Sequence, residues 1–333
     1  MIDAAGSIRA ARLTDRQALV DLSRQVHDGA EGFRRSLGVP ARSAAPPRIS
    51  LATLMPSWLP LRPPSVHLVA ESEGRLVGSC RAIEEPHRDD WVITELDAAE
   101  SPMAAEVRYA LLQAVIEEGA QRNVARYHAA CADVPENTEL FGQLDFMAYA
   151  HEEIWYRAPG GLTGSKTAKG EPMVPATAAD AWHLFDLWTH ATPPAIARIE
   201  GYGATDWESV GHEGVVPRSS LNPLLHFSDV HAWQLPDGQR AAGFAQHGAC
   251  RAGPHYLRFL VRDGADGAGF LRAVLAAVGD EALAAGILAP VRTYEATGRQ
   301  VAKDTGFEPV GQVIMLVREV RASVRQPAMV PAI

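Results

Sequence analysis

The first half of this chain returns, in order, about 160 residues later, and that echo restricts the fold more than any single motif. Ile8–Leu22 laid over Met173–Leu187 gives five identities in fifteen positions at a constant offset of 165: Ala11/Ala176, Asp15/Asp180, Leu19/Leu184, Asp21/Asp186 and Leu22/Leu187. Val66-His67 and Gly74 fall over Val230-His231 and Gly238 at offset 164, and Phe146 and Arg157 over Phe307 and Arg318 at offset 161. Because the offset drifts by only four residues (165 − 161), the order of elements is kept and few loops have changed length. Solenoid repeats run roughly 20–50 residues, so a repeat this long is a duplicated globular domain.

Bulk composition fits two such domains. The 333 residues are 47% hydrophobic and 21% charged, enough for a core in each half. A net charge of −9 and a pI near 5.7 argue against a nucleic-acid or anionic-membrane partner. Cys80, Cys131 and Cys250 are odd in number and share no metal-type spacing, which fits a reducing compartment and buried apolar roles. With no signal-like start and no run of 18 apolar residues, the expectation is a cytoplasmic chain.

Each half reads as strand, helix, irregular cover, hairpin, strand, helix, strand, short helix, strand. In the first half these are a strand at Ile8–Arg12, a helix capped by Thr14 or Asp15, a hairpin over 66–83 around Gly74, a strand at Trp91–Leu96 and a helix over Ala104–Ala120. A strand at Arg126–Ala132, a short helix at Asn137–Leu144 and a strand at Ala148–Tyr156 follow. The second half repeats this with a helix at Asp180–Trp188, a hairpin around Pro236-Asp237-Gly238, and a strand at Tyr256–Val261. It closes with a helix over Gly269–Leu283, a strand at Val291–Tyr294, a short helix at Gly298–Asp304 and a strand at Gln312–Arg318. The expected organisation is therefore 1–157, a small flexible linker at 158–172, a second domain at 173–321 and a tail at 322–333. The covers, His27–Pro64 and His190–Phe227, include a loose cluster of Arg34, Arg35, Arg42 and Arg48. Trp182, Trp188 and Trp207 with Phe185 are expected to pack the second cover. His226 and His231 lie five apart, which is not a helical metal-pair spacing, so no metal site is expected.

This element order, with Gly306-Phe307 near the end of the second half, resembles the GNAT acyltransferase superfamily, and the fused pair resembles its tandem members. The resemblance implies an α+β fold of two tandem domains, each a mixed, mostly antiparallel sheet flanked by helices, and the pair packing as a pseudo-dimer or further as a homodimer. It also implies acetyl-CoA, or another acyl-CoA, as co-substrate and a small amine or amino-acid-like acceptor. The family's diphosphate loop lies between the fourth strand and the next helix, where glycines let backbone amides approach the phosphates. In the second half that place holds Leu260, Val261, Arg262, Gly264, Gly267, Ala268 and Gly269, with Arg262 or Arg272 as cation and Asp263 and Asp266 as opposing charges. The first half has Glu100-Ser-Pro-Met-Ala-Ala-Glu106 there, without glycine and with Glu106 opposing an anionic cofactor, so the first half is expected to be non-catalytic, serving structure or acceptor binding, and the cofactor site is expected in the second half. The family's thiolate-protonating Tyr is replaced by Phe141 and Ala302. For the base that acyl transfer to an amine needs, the candidates are Glu95 in the first half and Glu295 or Tyr256 in the second. The departures leave a second expectation open: a degenerate pseudo-enzyme serving as a ligand-binding or scaffolding module.

Overall fold

A computed structural model describes residues 6–27, 65–85, 88–160, 173–210, 217–223, 225, 227–250 and 253–320. Within it, the positions that repeat between the halves are largely those that turn the backbone. Asp15 and Asp180 each accept the backbone N–H three residues earlier, from Arg12 at 2.7 Å and Thr177 at 2.8 Å. Each thereby closes a 3-10 turn that opens a helix, α1 at Arg16–His27 and its counterpart at Ala181–Ala191. Gly74 (φ +74°) and Gly238 (φ +60°) are the left-handed corners of two hairpins. Phe146 and Phe307 follow left-handed Asp145 and Gly306, and their amides bond back to the carbonyls of Phe141 and Ala302 at 3.1 and 3.0 Å, which seats both rings in the cores.

The first half contains β1 (Ser7–Ala10), α1, β2 (Ser65–Ser72), β3 (Arg75–Glu84), β4 (Asp90–Ala98), α2 (Ala104–Gln121), β5 (Arg126–Ala132), α3 (Pro135–Gly142) and β6 (Met147–Arg157). The second contains β7 (Val174–Pro175), α4 (Ala181–Ala191), α5 (Pro194–Glu200), β8 (Phe227–Asp237), β9 (Arg240–Cys250) and β10 (His255–Val261). It ends with α6 (Gly267–Val278), α7 (Asp280–Ala285), β11 (Ile287–Arg292), α8 (Ala296–Asp304) and β12 (Glu308–Glu319). Most of these match the sequence reading, and three details differ. Gly279 (φ +89°) breaks the expected helix over Gly269–Leu283 in two. The expected strand at Val291–Tyr294 starts earlier, at Ile287, and its Pro290 turns its carbonyl toward β10. The missing N–H of that proline therefore faces a gap from which β10 has already diverged, where no partner is lost. Trp182 is 67% exposed instead of packed, whereas Trp188 and Trp207 are buried.

The twelve strands among the described residues form one sheet in the order β1-β2-β3-β4-β5-β12-β6-β11-β10-β9-β8-β7. Of these, only β4·β5 and β10·β11 pair in parallel. The last strand of each half has crossed into the other: β12 pairs with β5, β6 pairs with β11, and the two exchanged strands pair antiparallel at the centre. The exchange reaches the cores. Ile314 and Leu316 of β12 pack with α2 and β4, and Trp155 of β6 packs with α6 and β10. The expected pseudo-dimer is thus an interlocked one, with the pseudo-twofold between β6 and β12. The Arg cluster of the first cover, most of the linker, the tail and His226 lie outside the described residues.

Candidate functional site

In each half the two parallel strands part company, leaving a wedge between them. β4 follows β5 only from Asp90/Arg126 to Val92/His128, and β10 follows β11 only at His255/Ile287 and Tyr256/Leu288. The two wedges differ in almost every other respect.

In the first half, β4 carries a bulge. Arg81 faces Glu95 but Ala82 faces Ile93, so Thr94 is the extra residue. One face of this region packs under α2, where a Cβ on Gly78 would lie 2.6 Å from Val107. The other face carries α1 and a polar group drawn from three strands: His67, Ser79, Arg81, Thr94 and Glu95. Ser79 Oγ donates to Glu95 Oε1 at 2.5 Å, and His67 Nε2 stands 3.6 Å from the same oxygen. Arg81 Nε donates to Thr94 Oγ1 at 3.1 Å. Burial alone would raise the Glu95 carboxyl, but His67, the Arg81 charge and the Ser79 bond outweigh it and hold the group down to about 2. Glu95 is thus a carboxylate at every physiological pH.

The start of α2 is exposed and no side chain caps it, although Glu106 places a carboxylate in its first turn. Among the described residues the amides of Ala105 and Glu106 have no acceptor. Deeper in, the wedge is braced: Arg108 Nη2 donates to Asn137 Oδ1 at 2.9 Å, and Asn137 Nδ2 donates to the Ala132 carbonyl at 3.0 Å. Phe141, at the family's Tyr position, is fully buried and meets Phe146 edge-on. At the base of the wedge, Arg218, Ser219, Ser220 and Pro223 from the second half cover Val92 and His128, leaving a cavity of about 10 Å³, room for about one water.

The second half has spent the features that sequence singled out. Asp266 Oδ1 accepts the Gly269 amide at 2.8 Å, so the helix start that would receive a diphosphate already holds a carboxylate. A Cβ on Gly269 would run into that carboxylate, and a Cβ on Gly267 would lie 2.7 Å from both Val261 and Val301. These two glycines are therefore packing residues, and Gly264 (φ +84°) is a turn residue. Arg262 is turned to Asp186 on α4 at 2.8 Å, and Leu260 and Val261 are core. Ala268 lies half-buried in the first turn of α6.

Glu295 is clamped in the wedge by Arg258, whose Nη1 and Nη2 reach its two oxygens at 2.9 and 2.5 Å, and by the Arg292 amide at 3.1 Å. Tyr256 lies 3.0 Å from Ser219 Oγ, and burial pushes its phenol well up. Neither group is free to take a proton from a substrate. Glu95, Glu295 and Tyr256 are thus not brought together.

Sequence reading missed Arg218, Arg258 and Arg292, which are almost completely buried. Arg218 bonds to Glu85 and to His128 Nδ1, and Arg292 to Glu200 at 2.7 Å, with Glu152 3.2 Å away. Arg218, together with Arg88 on Asp206 at 2.8 Å and Arg126 on the Ile199 carbonyl at 2.8 Å, fastens Ile199, Asp206 and its own segment to the first half. A signal existed for one of them: a lone arginine in the otherwise apolar run Tyr-Leu-Arg258-Phe-Leu-Val has to be paired if that strand is buried. Among the described residues no group of three or more metal-ligating side chains is found, and no helix is long and apolar enough to cross a membrane.

The chain has the fold of tandem GNAT proteins. It is similar over 94% of its length to 98% of a tandem GNAT protein from the clavulanic acid biosynthesis pathway, at a TM-score of 0.57 and 13% identity. It is similar over 94% of its length to 95% of a GCN5-related N-acetyltransferase from Sphaerobacter thermophilus, at a TM-score of 0.56 and 14% identity. No family model and no curated protein matches the sequence. At these identities the likeness extends to the fold alone.

Proposed function

We propose that the chain is an acyltransferase that moves an acyl group from acetyl-CoA or another acyl-CoA to a small amine, and that the chemistry belongs to the first half. The observation carrying this reading is Glu95, an ionised carboxylate set directly after the bulge of β4, the strand that leads into α2, whose start among the described residues carries no side-chain cap. A carboxylate near 2 is too acidic to be an efficient proton acceptor at neutral pH. Its role is electrostatic: it binds the acceptor as an ammonium, which loses one proton to solvent before the free amine attacks, and it then stabilises the positive charge that grows on nitrogen as the amine adds to the thioester carbon. The C–N bond forms, the C–S bond breaks with its electron pair going to the thiolate, and the second proton lost from nitrogen also goes to solvent. A thiolate of pKa about 8.5 leaves without help from a tyrosine. The second half then serves structure.

The test is thiol release from acetyl-CoA against a panel of primary amines, with Glu95→Gln and Glu295→Gln compared. Loss of activity in Glu95→Gln, with rate retained in folded Glu295→Gln, is expected; the reverse pattern contradicts it. A second reading, a binding or scaffolding module without chemistry, is favoured by the buried Arg108–Asn137 bond, which ties α2 to α3 where the two parallel strands diverge. Absence of thiol release with every amine, together with absence of acetyl-CoA binding, supports that reading.

A further inference from the structure

Arg81 and Glu95 are direct cross-strand partners on one face, yet they do not pair with each other. Opposite charges so placed have Cβ atoms about 5 Å apart and ordinarily form an ion pair. Here each is engaged elsewhere: Thr94, the bulge residue, accepts from Arg81 Nε at 3.1 Å, and Glu95 Oε1 accepts from Ser79 Oγ at 2.5 Å with His67 Nε2 3.6 Å from the same oxygen. Among the described residues the Arg81 Nη groups and Glu95 Oε2 have no partner, and neither atom set is sealed from solvent. A cation and an anion kept apart on a rigid sheet, each with its second hydrogen-bonding position open, form a receptor for a molecule carrying both charges.

The geometry points to a zwitterionic acceptor of the α-amino-acid type, its ammonium on Glu95 and its carboxylate on the Arg81 guanidinium. The guanidinium fork suits a carboxylate, and the Thr94 bond fixes its plane. Placing the ammonium on Glu95 rests on the acyl-transfer reading only for what happens next; binding itself does not require an acyl donor. The position that faces Arg258 across β9, the counterpart of Arg81, is Gln246, so the second half holds no such pair.

The experiment is calorimetric titration of the full chain, without acyl-CoA, using three matched probes: free α-amino acids, the corresponding decarboxylated amines, and the corresponding N-acetyl amino acids. The expected result is that at least one amino acid binds tenfold or more tighter than both its amine and its N-acetyl form. Arg81→Gln should then bring amino acid and amine to equal affinity, and Glu95→Gln should abolish binding of both. Arg81→Lys, which keeps the charge and the fold but not the fork, should fall between wild type and Arg81→Gln. Equal affinity of amine and amino acid for the wild type, an unchanged ratio in Arg81→Gln, or no binding of any probe overturns the assignment. Failure of acyl transfer reads out separately, as bound amino acid with no thiol released from acetyl-CoA.

Discussion

Removing the charge from Glu295 would leave Arg258 buried and without its partner, whereas removing it from Glu95 leaves Ser79 an acceptor and leaves Arg81 in reach of solvent. Breaking a buried pair of the first kind costs about 3–5 kcal/mol. Glu295→Gln is therefore expected to show the larger drop in Tm, and Glu95→Gln the larger drop in rate, on the scale of the roughly 10²–10³-fold that one electrostatic stabiliser of the transition state supplies. Thermal melts beside thiol-release rates check this. His128 makes a second prediction. Burial and the nearby Arg218 push its imidazole down to about 4, against an ordinary 6.5, so it is neutral in the folded protein. Between those values the unfolded chain binds the extra proton. This contribution to stability is present above pH 6.5 and is lost as pH falls toward 4, by up to about 1.4 kcal/mol per pH unit. Denaturant unfolding at pH 7 and pH 5 should show a larger loss for the wild type than for His128→Gln; parallel pH dependences would count against the buried neutral state.

At the scale of elements, the loop from Val261 to α6 shows how a site pattern can be a packing pattern. Gly267 and Gly269 give the sequence spacing of a diphosphate loop, but small residues are also what a close helix contact and a self-capping carboxylate require. Nothing local distinguishes the two, because the deciding atoms belong to Val301 and Asp266. Gly267→Ala is expected to destabilise by about 1–3 kcal/mol as an overpacked contact, and Asp266→Ala by about 1 kcal/mol as a lost cap, without effect on acyl-CoA affinity. Urea titrations alongside ligand titrations measure both. Hairpins and helices were legible because their signals are local: Gly74 and Gly238 at the turns, Asp15 and Asp180 at the helix starts. The exchange of β6 and β12 was not legible, because an alternating strand reads the same whichever neighbour it pairs with. The bulge at Thr94 was hidden for the same reason, and with it the distinction of Glu95 from any other strand carboxylate.

For the whole molecule, the interlocked sheet means that each half of the chain lacks a strand of its own sheet and carries one belonging to the other. Fragments 1–160 and 161–333 expressed apart are expected to remain unfolded or aggregate, since each leaves a wedge edge and a core face uncovered, and to form a 1:1 complex when co-expressed. Two soluble, independently melting fragments would show that the exchange is dispensable. The duplication has also let the halves diverge in charge: the first keeps an open helix start and separated charges, the second neutralises both internally. Calorimetric titration of acetyl-CoA into the intact chain, Ala105→Glu and Ala268→Glu tests that division most directly, since each variant adds an opposing carboxylate to the first turn of one helix, α2 or α6. One equivalent is expected to bind, weakened at least tenfold by Ala105→Glu and unchanged by Ala268→Glu. Two equivalents, or a loss confined to Ala268→Glu, would contradict that division.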